Sequence, residues 1–167
     1  MDATMTEMPR PAPDRTPRMT LEEVRAFIAA EFPQMDYDGP TYVIEDVGYG
    51  VSRLRLLRHE RHLRPGGTLS GPSMMALADV ALYVALLGAI GPVKLAVTTN
   101  LTINFVTRPQ SGDLIATCSY IKIGRSLAVG EATLAAEGSE TPAAHVVATY
   151  SIPPRESDRK ITAEIAS

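Results

Sequence analysis

The sequence has a single cysteine, Cys118, among its 167 residues. No disulfide can form within the chain, and such usage fits a reducing compartment, so a cytoplasmic protein is expected. The three histidines, His59, His62 and His145, share no metal-ligand spacing with Cys118, so no metal is expected. An excess of one charge is lacking too: 16 Lys and Arg against 19 Asp and Glu leave −3 at neutral pH. That excludes a global pull toward nucleic acid or an anionic membrane. Neither G-x-x-x-x-G-K-S/T nor G-x-G-x-x-G occurs, so the common phosphate-cradling loops are absent. No internal repeat is present, and "MDATMTEMPRPAPDRTPRM" has no apolar stretch of the kind a secretory signal needs.

The remaining composition, 45% hydrophobic and 21% charged, is that of a soluble globular domain long enough to bury a core. We expect a flexible leader over 1–19, one domain over 20–153 and an exposed tail over 154–167, with a short helical turn in "KITAEIAS". Thr20 followed by Glu23 is a capping box, and Leu21, Val24, Phe27 and Ile28 form one apolar helix face ended by Pro33. "TYVIEDVGYGVSRLRLLRHE" reads as one long strand, or two broken at Gly48 and Gly50. "RPGG" is a turn. Ser70-Gly71-Pro72 is a helix start, with Gly88 and Gly91-Pro92 as its stop.

The hydrophobic period then changes to two. In "LAVTTNLTINFVTRP", Val97, Leu101, Ile103 and Phe105 fall on one face, and Thr98, Asn100, Thr102 and Asn104 on the other. Two strands around a Gly124-Arg125 turn follow, and "AAHVVATYSIPP" is the last strand. One apolar helix followed by four strands predicts an α+β fold, an antiparallel sheet packed on that helix.

From Gly66 to Val93 the only formal charge is Asp79. A membrane span is disfavoured, because the carboxylate sits mid-run, Gly and Pro flank it, and no second span exists. Two readings stay open on the residues alone: a structural carboxylate in a core helix, or a chemically active one in a cleft. A helix this apolar has almost no solvent face for it, and burial without partners is costly. The helix start at Gly71 presents free N–H groups and suits an oxyanion. Eight residues separate it from Asp79, about 12 Å along the axis. Reacting atoms must approach to about 3–3.5 Å. One helix can hardly serve one carbonyl with both groups; two antiparallel copies can. If both groups act together, a homodimer with shared sites is required.

Gly67-Thr68-Leu69-Ser70-Gly71-Pro72 followed by Leu77-Ala78-Asp79, then "AVTTNLTINFVTRPQSGDLIA" and "GRSLAVGEATL", resembles the hotdog-fold acyl-CoA thioesterases of the phenylacetate-degradation type. The likeness runs from about Thr41 to Pro153. It implies an antiparallel sheet wrapped around one long central helix. It also implies acyl-CoA as substrate, with coenzyme A entering only as part of it and no separate cofactor. Asp79 would be the nucleophile or the general base, and the Gly71 N–H would polarise the thioester oxygen. Thr98 matches a family position that carries a hydroxyl near the attacking water. Arg125 and Ser126, after Gly124, would lie where the coenzyme A nucleotide docks, with Lys122 and Arg108 as further candidates. Met74, Met75 and Tyr83 would wall the acyl pocket. Two positions depart from the family: its His is Ser70, and its second Gly is Pro72, which has no N–H. Arg64 stands where the family has Asn, and reads as a substrate or anion contact.

A non-catalytic acyl-CoA binder on the same fold is the main alternative, since Ser70 and Arg64 leave room for it. A hydratase would need a His paired with an acid, and neither His59 nor His62 can be placed beside Asp79 from the sequence. Dimers, or dimers of dimers, are both compatible with these residues.

Overall fold

The computed structural model describes residues 15–36, 38–109 and 112–154. The leader up to residue 14, and the tail from residue 155 with its expected helical turn, lie outside the described residues. Arg18 N–H donates to the Gly88 carbonyl (2.7 Å) and Met19 is buried, so the contacts of the fold begin before Thr20.

The first helix, α1 (Leu21–Glu31), starts with both halves of the capping box. Glu23 N–H donates to Thr20 Oγ1, and Thr20 N–H to Glu23 Oε2. Val24 and Ile28 form its buried face. Strands β1 (Tyr42–Gly48) and β2 (Val51–Leu56) follow as a hairpin that turns at Tyr49-Gly50, which decides for two strands over one. Then come the long helix α2 (Gly71–Ile90) and β3 (Val97–Phe105), β4 (Leu114–Ile123), β5 (Leu127–Ala136) and β6 (Pro142–Ser151).

All strand pairs are antiparallel, in the order β1-β2-β4-β5-β6-β3. The sheet wraps α2, whose Leu77, Leu82, Val84, Leu86 and Leu87 are fully buried. This is the α+β hotdog architecture. The helix is long and apolar enough to cross a bilayer, but its apolarity is spent on the inside of the sheet. The chain leaves β2 near one edge, runs through α2, and returns as β3 on the opposite edge. That route carries Asp79 from the helix toward β3 and β6.

Two details differ from the sequence reading. Gly88 does not stop α2; the helix continues to Ile90 and is capped at Gly91. A Cβ at Gly88 would stand 2.3 Å from the Gly48 carbonyl oxygen, so the glycine serves the close approach of α2 to β1. Nor is the alternation of β3 unbroken. Thr98 pairs with Tyr150 and Asn100 with Thr149, which leaves Thr99 as an extra residue in a bulge. The bulge shifts the period by one, so Thr98 turns inward with Leu101 and Ile103, away from Asn100, Thr102 and Asn104.

Candidate active site

Asp79 is half-buried on α2. Its Oδ1 accepts two hydrogen bonds: from Thr98 Oγ1 at 2.5 Å and from the Tyr150 hydroxyl at 2.6 Å. The same Tyr150 hydroxyl lies 2.7 Å from the Asp79 carbonyl oxygen, so its one proton is shared between two acceptors of one residue. Oδ2 accepts no bond from any described residue. Burial and the neighbouring carboxylate push the Tyr150 phenol well above its ordinary value of 10.0, which keeps it a donor. The bulge at Thr99 and the register Thr98↔Tyr150 place both donors side by side on the inner face.

Asp79 opens on a cavity of about 410 Å³ shared with Tyr83, Lys94, Thr98 and Tyr150. Tyr83 closes part of the wall by donating its hydroxyl to the Val93 carbonyl at 2.8 Å. Lys94 pairs with Glu31 at 2.7 Å on the rim.

The start of α2 lies at a different cavity, of about 510 Å³, which Gly71 shares with Arg64, Thr68, Met74, Phe105 and Arg108. The Ser70 hydroxyl is occupied within the cap: it accepts from Ser73 N–H at 3.3 Å and lies 2.9 Å from Ser73 Oγ. Met74 N–H donates to the Ser70 carbonyl. Pro72 has no N–H. Among the described residues, the Gly71 N–H is therefore the donor of this first turn left without an acceptor, and it faces a cavity at the positive end of a helix. A Cβ on Gly71 would meet the Phe105 ring at 3.1 Å, so a glycine here lets the ring close over the helix end. Behind the cap, the His62 carbonyl accepts from Ser70 N–H at 2.8 Å. His62 is buried; its Nδ1 lies 3.2 Å from the Leu57 carbonyl and its Nε2 accepts from Arg61 Nε at 3.3 Å. Burial, and then the Arg61 charge, hold this imidazole below its ordinary range.

The structure thus sorts the residues singled out in the sequence. Asp79, Thr98 and Tyr83 meet at one cavity; Gly71, Arg64 and Arg108 meet at the other. Met74 lines the Gly71 cavity, whereas Met75 is 40% exposed on the uncovered face of α2 and lines neither. Lys122, Gly124, Arg125 and Ser126 line neither cavity. Their hairpin still borders the Asp79 end of the sheet, since Leu127 pairs with Ser151 and Ser151 with Val97. The two strand spacings between them amount to about 10 Å. Sequence reasoning missed Tyr150, which looked like one more residue of a terminal strand. Only the register opposite Thr98 marks it. No group of three or more His, Cys, Asp or Glu side chains fit to hold a metal occurs among the described residues.

Residues 66–143 match the family model of the thioesterase superfamily. A solved structure of a candidate thioesterase from Silicibacter is 44% identical; the match covers 83% of this chain and 94% of that one, with a TM-score of 0.75. The phenylacetic acid degradation protein PaaI of Thermus thermophilus shares the fold, at 21% identity, a TM-score of 0.63, and coverage of 72% and 99%. A candidate esterase from Halobacterium salinarum is 34% identical over 93 residues, which is 53% of this chain and 61% of that protein's length. With the helix-wrapping sheet, the helical aspartate and a solved relative at this identity and coverage, the chain belongs to the thioesterase superfamily in its hotdog form.

Proposed function

We propose that the protein hydrolyses an acyl-CoA thioester to a free acid and coenzyme A, at a site shared by two copies of the chain. The observation that carries this reading is Asp79, a carboxylate gripped through Oδ1 by Thr98 and Tyr150 and left open on a cavity through Oδ2. Asp79 is half-buried, and the oxygen without a protein partner is the one available to water or substrate in that cavity.

Two donors on one oxygen fix the plane of the carboxylate and aim the other oxygen. As a general base, Oδ2 takes a proton from water while the water oxygen bonds to the thioester carbon. The carbonyl oxygen gains the negative charge and accepts from the Gly71 N–H. When the C–S bond breaks, coenzyme A leaves as a thiolate and takes up the proton. As a nucleophile, Oδ2 bonds to the same carbon, the C–S bond breaks and coenzyme A leaves as the thiolate. Water then cleaves the anhydride, returning the Asp79 carboxylate and the free acid, with the proton released from water passing to the thiolate. Both routes use the same two groups and no co-reactant but water.

Sharing follows from distance. Gly71 and Asp79 stand about 12 Å apart along one helix and line separate cavities. A second copy, turned about a two-fold axis, can bring its Gly71 to the first copy's Asp79. Among the described residues, edge strand β3 pairs only with β6, and it carries exposed apolar residues, Val97 at 56% and Phe105 at 51%. An unpaired apolar edge of this kind favours a self-complementary contact. The β4–β5 hairpin, with Lys122, Gly124, Arg125 and Ser126, lies at the Asp79 end of the sheet without lining the cavity, and its cations suit the coenzyme A phosphates.

The test is free-thiol release from short, long and aryl acyl-CoAs by wild type and Asp79→Asn. Turnover by wild type, with most of the rate lost in a folded Asn variant, supports hydrolysis. No turnover, with a melting temperature raised by coenzyme A esters, would instead favour the non-catalytic binder. Its supporting observation is Ser70, whose hydroxyl is taken up in the helix cap and offers no proton carrier in place of the family His.

A further inference from the structure

We infer that the acyl group of the substrate carries a negative charge, and that Arg64 and Arg108 read it. The inference rests on the thioesterase reading above and names its substrate class.

A thioester carbonyl held between Asp79 of one copy and Gly71 of the other sends its two substituents in opposite directions. The coenzyme A arm is assigned to the side of the β4–β5 hairpin, whose Leu127 lies two strand spacings from Val97 of the Asp79 cavity. The acyl group is then left to the Gly71 cavity. At about 510 Å³ that cavity has room for an acyl group of modest size. Leu69, Met74, Phe105 and Val106 give it an apolar lining. Arg64 and Arg108 stand on the same lining, and neither has a carboxylate partner among the described residues. Arg64 is also held in place: its Nε donates to Thr68 Oγ1 at 2.8 Å, which orients the guanidinium and leaves its two terminal nitrogens available.

Apolar lining with cations at one part of it matches a chain that is hydrocarbon near the thioester and anionic at its far end. Arg64 and Arg108 are exposed at the mouth of this cavity, and a neutral acyl group would give neither guanidinium a partner. A carboxylate at the end of a short chain gives them one, and Arg presents a fork that fits it in bidentate fashion. The proposed substrate class is therefore the CoA monothioester of a short dicarboxylic acid.

The experiment compares glutaryl-CoA with pentanoyl-CoA, which share a five-carbon acyl chain and the whole of coenzyme A. The readout is the ratio of their kcat/KM values in wild type, Arg64→Gln and Arg108→Gln, each checked for folding by circular dichroism. A charged hydrogen-bonded contact predicts a wild-type ratio of about tenfold or more in favour of glutaryl-CoA, collapsing toward one in the variants. A wild-type ratio of one or below overturns the inference. So does an equal loss on both substrates in the variants, which would assign the arginines to the coenzyme A phosphates. Binding of two non-hydrolysable thioethers, S-(4-carboxybutyl)-CoA and S-pentyl-CoA, by calorimetry reads the same preference without turnover. Tighter binding of the carboxylate, with no hydrolysis of any ester, keeps the anion pocket and rejects the thioesterase. Hydrolysis without preference in either assay does the reverse.

Discussion

Replacing Tyr150 by Phe isolates what the second donor on Asp79 contributes. The ring is buried and the substitution keeps its shape, so packing against the core is preserved. One hydroxyl carries one proton, and the two short contacts from it, 2.6 Å to Oδ1 and 2.7 Å to the carbonyl of the same residue, count as a single bond. Its acceptor is a charged group, so its loss should cost about 1.5–3 kcal/mol of stability, a fall in Tm of roughly 3–12 °C for a chain of this size. A loss of the same size in the aiming of the carboxylate is about 10- to 150-fold in rate. Because the bond aims the carboxylate and does not touch substrate, the loss should fall on kcat, with KM nearly unchanged. Thr98→Val removes the other donor to the same oxygen, and the two effects should not add, since both bonds are needed to aim the carboxylate and the second loss falls on a group already misaligned. The assay is thiol release across the four proteins of that cycle, with Tm by calorimetry. A Tyr150→Phe enzyme within twofold of wild type would refute the argument that this hydroxyl positions the acid.

Three further outcomes follow from the geometry. Mixing Asp79→Asn with Gly71→Asp, each inactive alone, should restore about a quarter of the wild-type activity after subunit exchange, because half the dimers are mixed and each holds one intact site; no recovery, in a protein shown to exchange, would put the whole site in one subunit. Cys118 is 2% exposed, and burial pushes its thiol from 9.0 up to about 12, so a thiol reagent at pH 8 should leave the folded protein unlabelled and label it fully in denaturant; the same shift means stability present below pH 9 is lost as pH rises toward 12. His62 is held neutral by burial and by Arg61, below its ordinary 6.5; the unfolded chain binds that proton more readily, so stability is full above about pH 6.5 and falls as the pH drops through the folded value. Tm measured from pH 7.5 to 5 should show the fall, and His62→Gln should flatten it.

The local elements were legible in the sequence because their signals are local. A hydroxyl and a carboxylate three residues apart cap α1, Ser70 caps α2, and a change of period from helix to strand separates the two halves of the chain. The lone charge in an apolar run marked Asp79, since a carboxylate there must be paired or used. What the sequence could not supply is everything that depends on register. A single extra residue at Thr99 turns Thr98 inward, and strict alternation points it the other way. Tyr150 became part of the site only because β6 lies beside β3 across the sheet, 71 residues from its partner in sequence. Gly88, read as a helix stop, proved to be a contact glycine, because an approach too close to admit a Cβ is a property of packing and leaves no local pattern. The division of the cations into one group at Gly71 and another at the hairpin was likewise decided by topology: residues distant in sequence share a cavity only when the sheet order brings their strands and loops to one end of the helix.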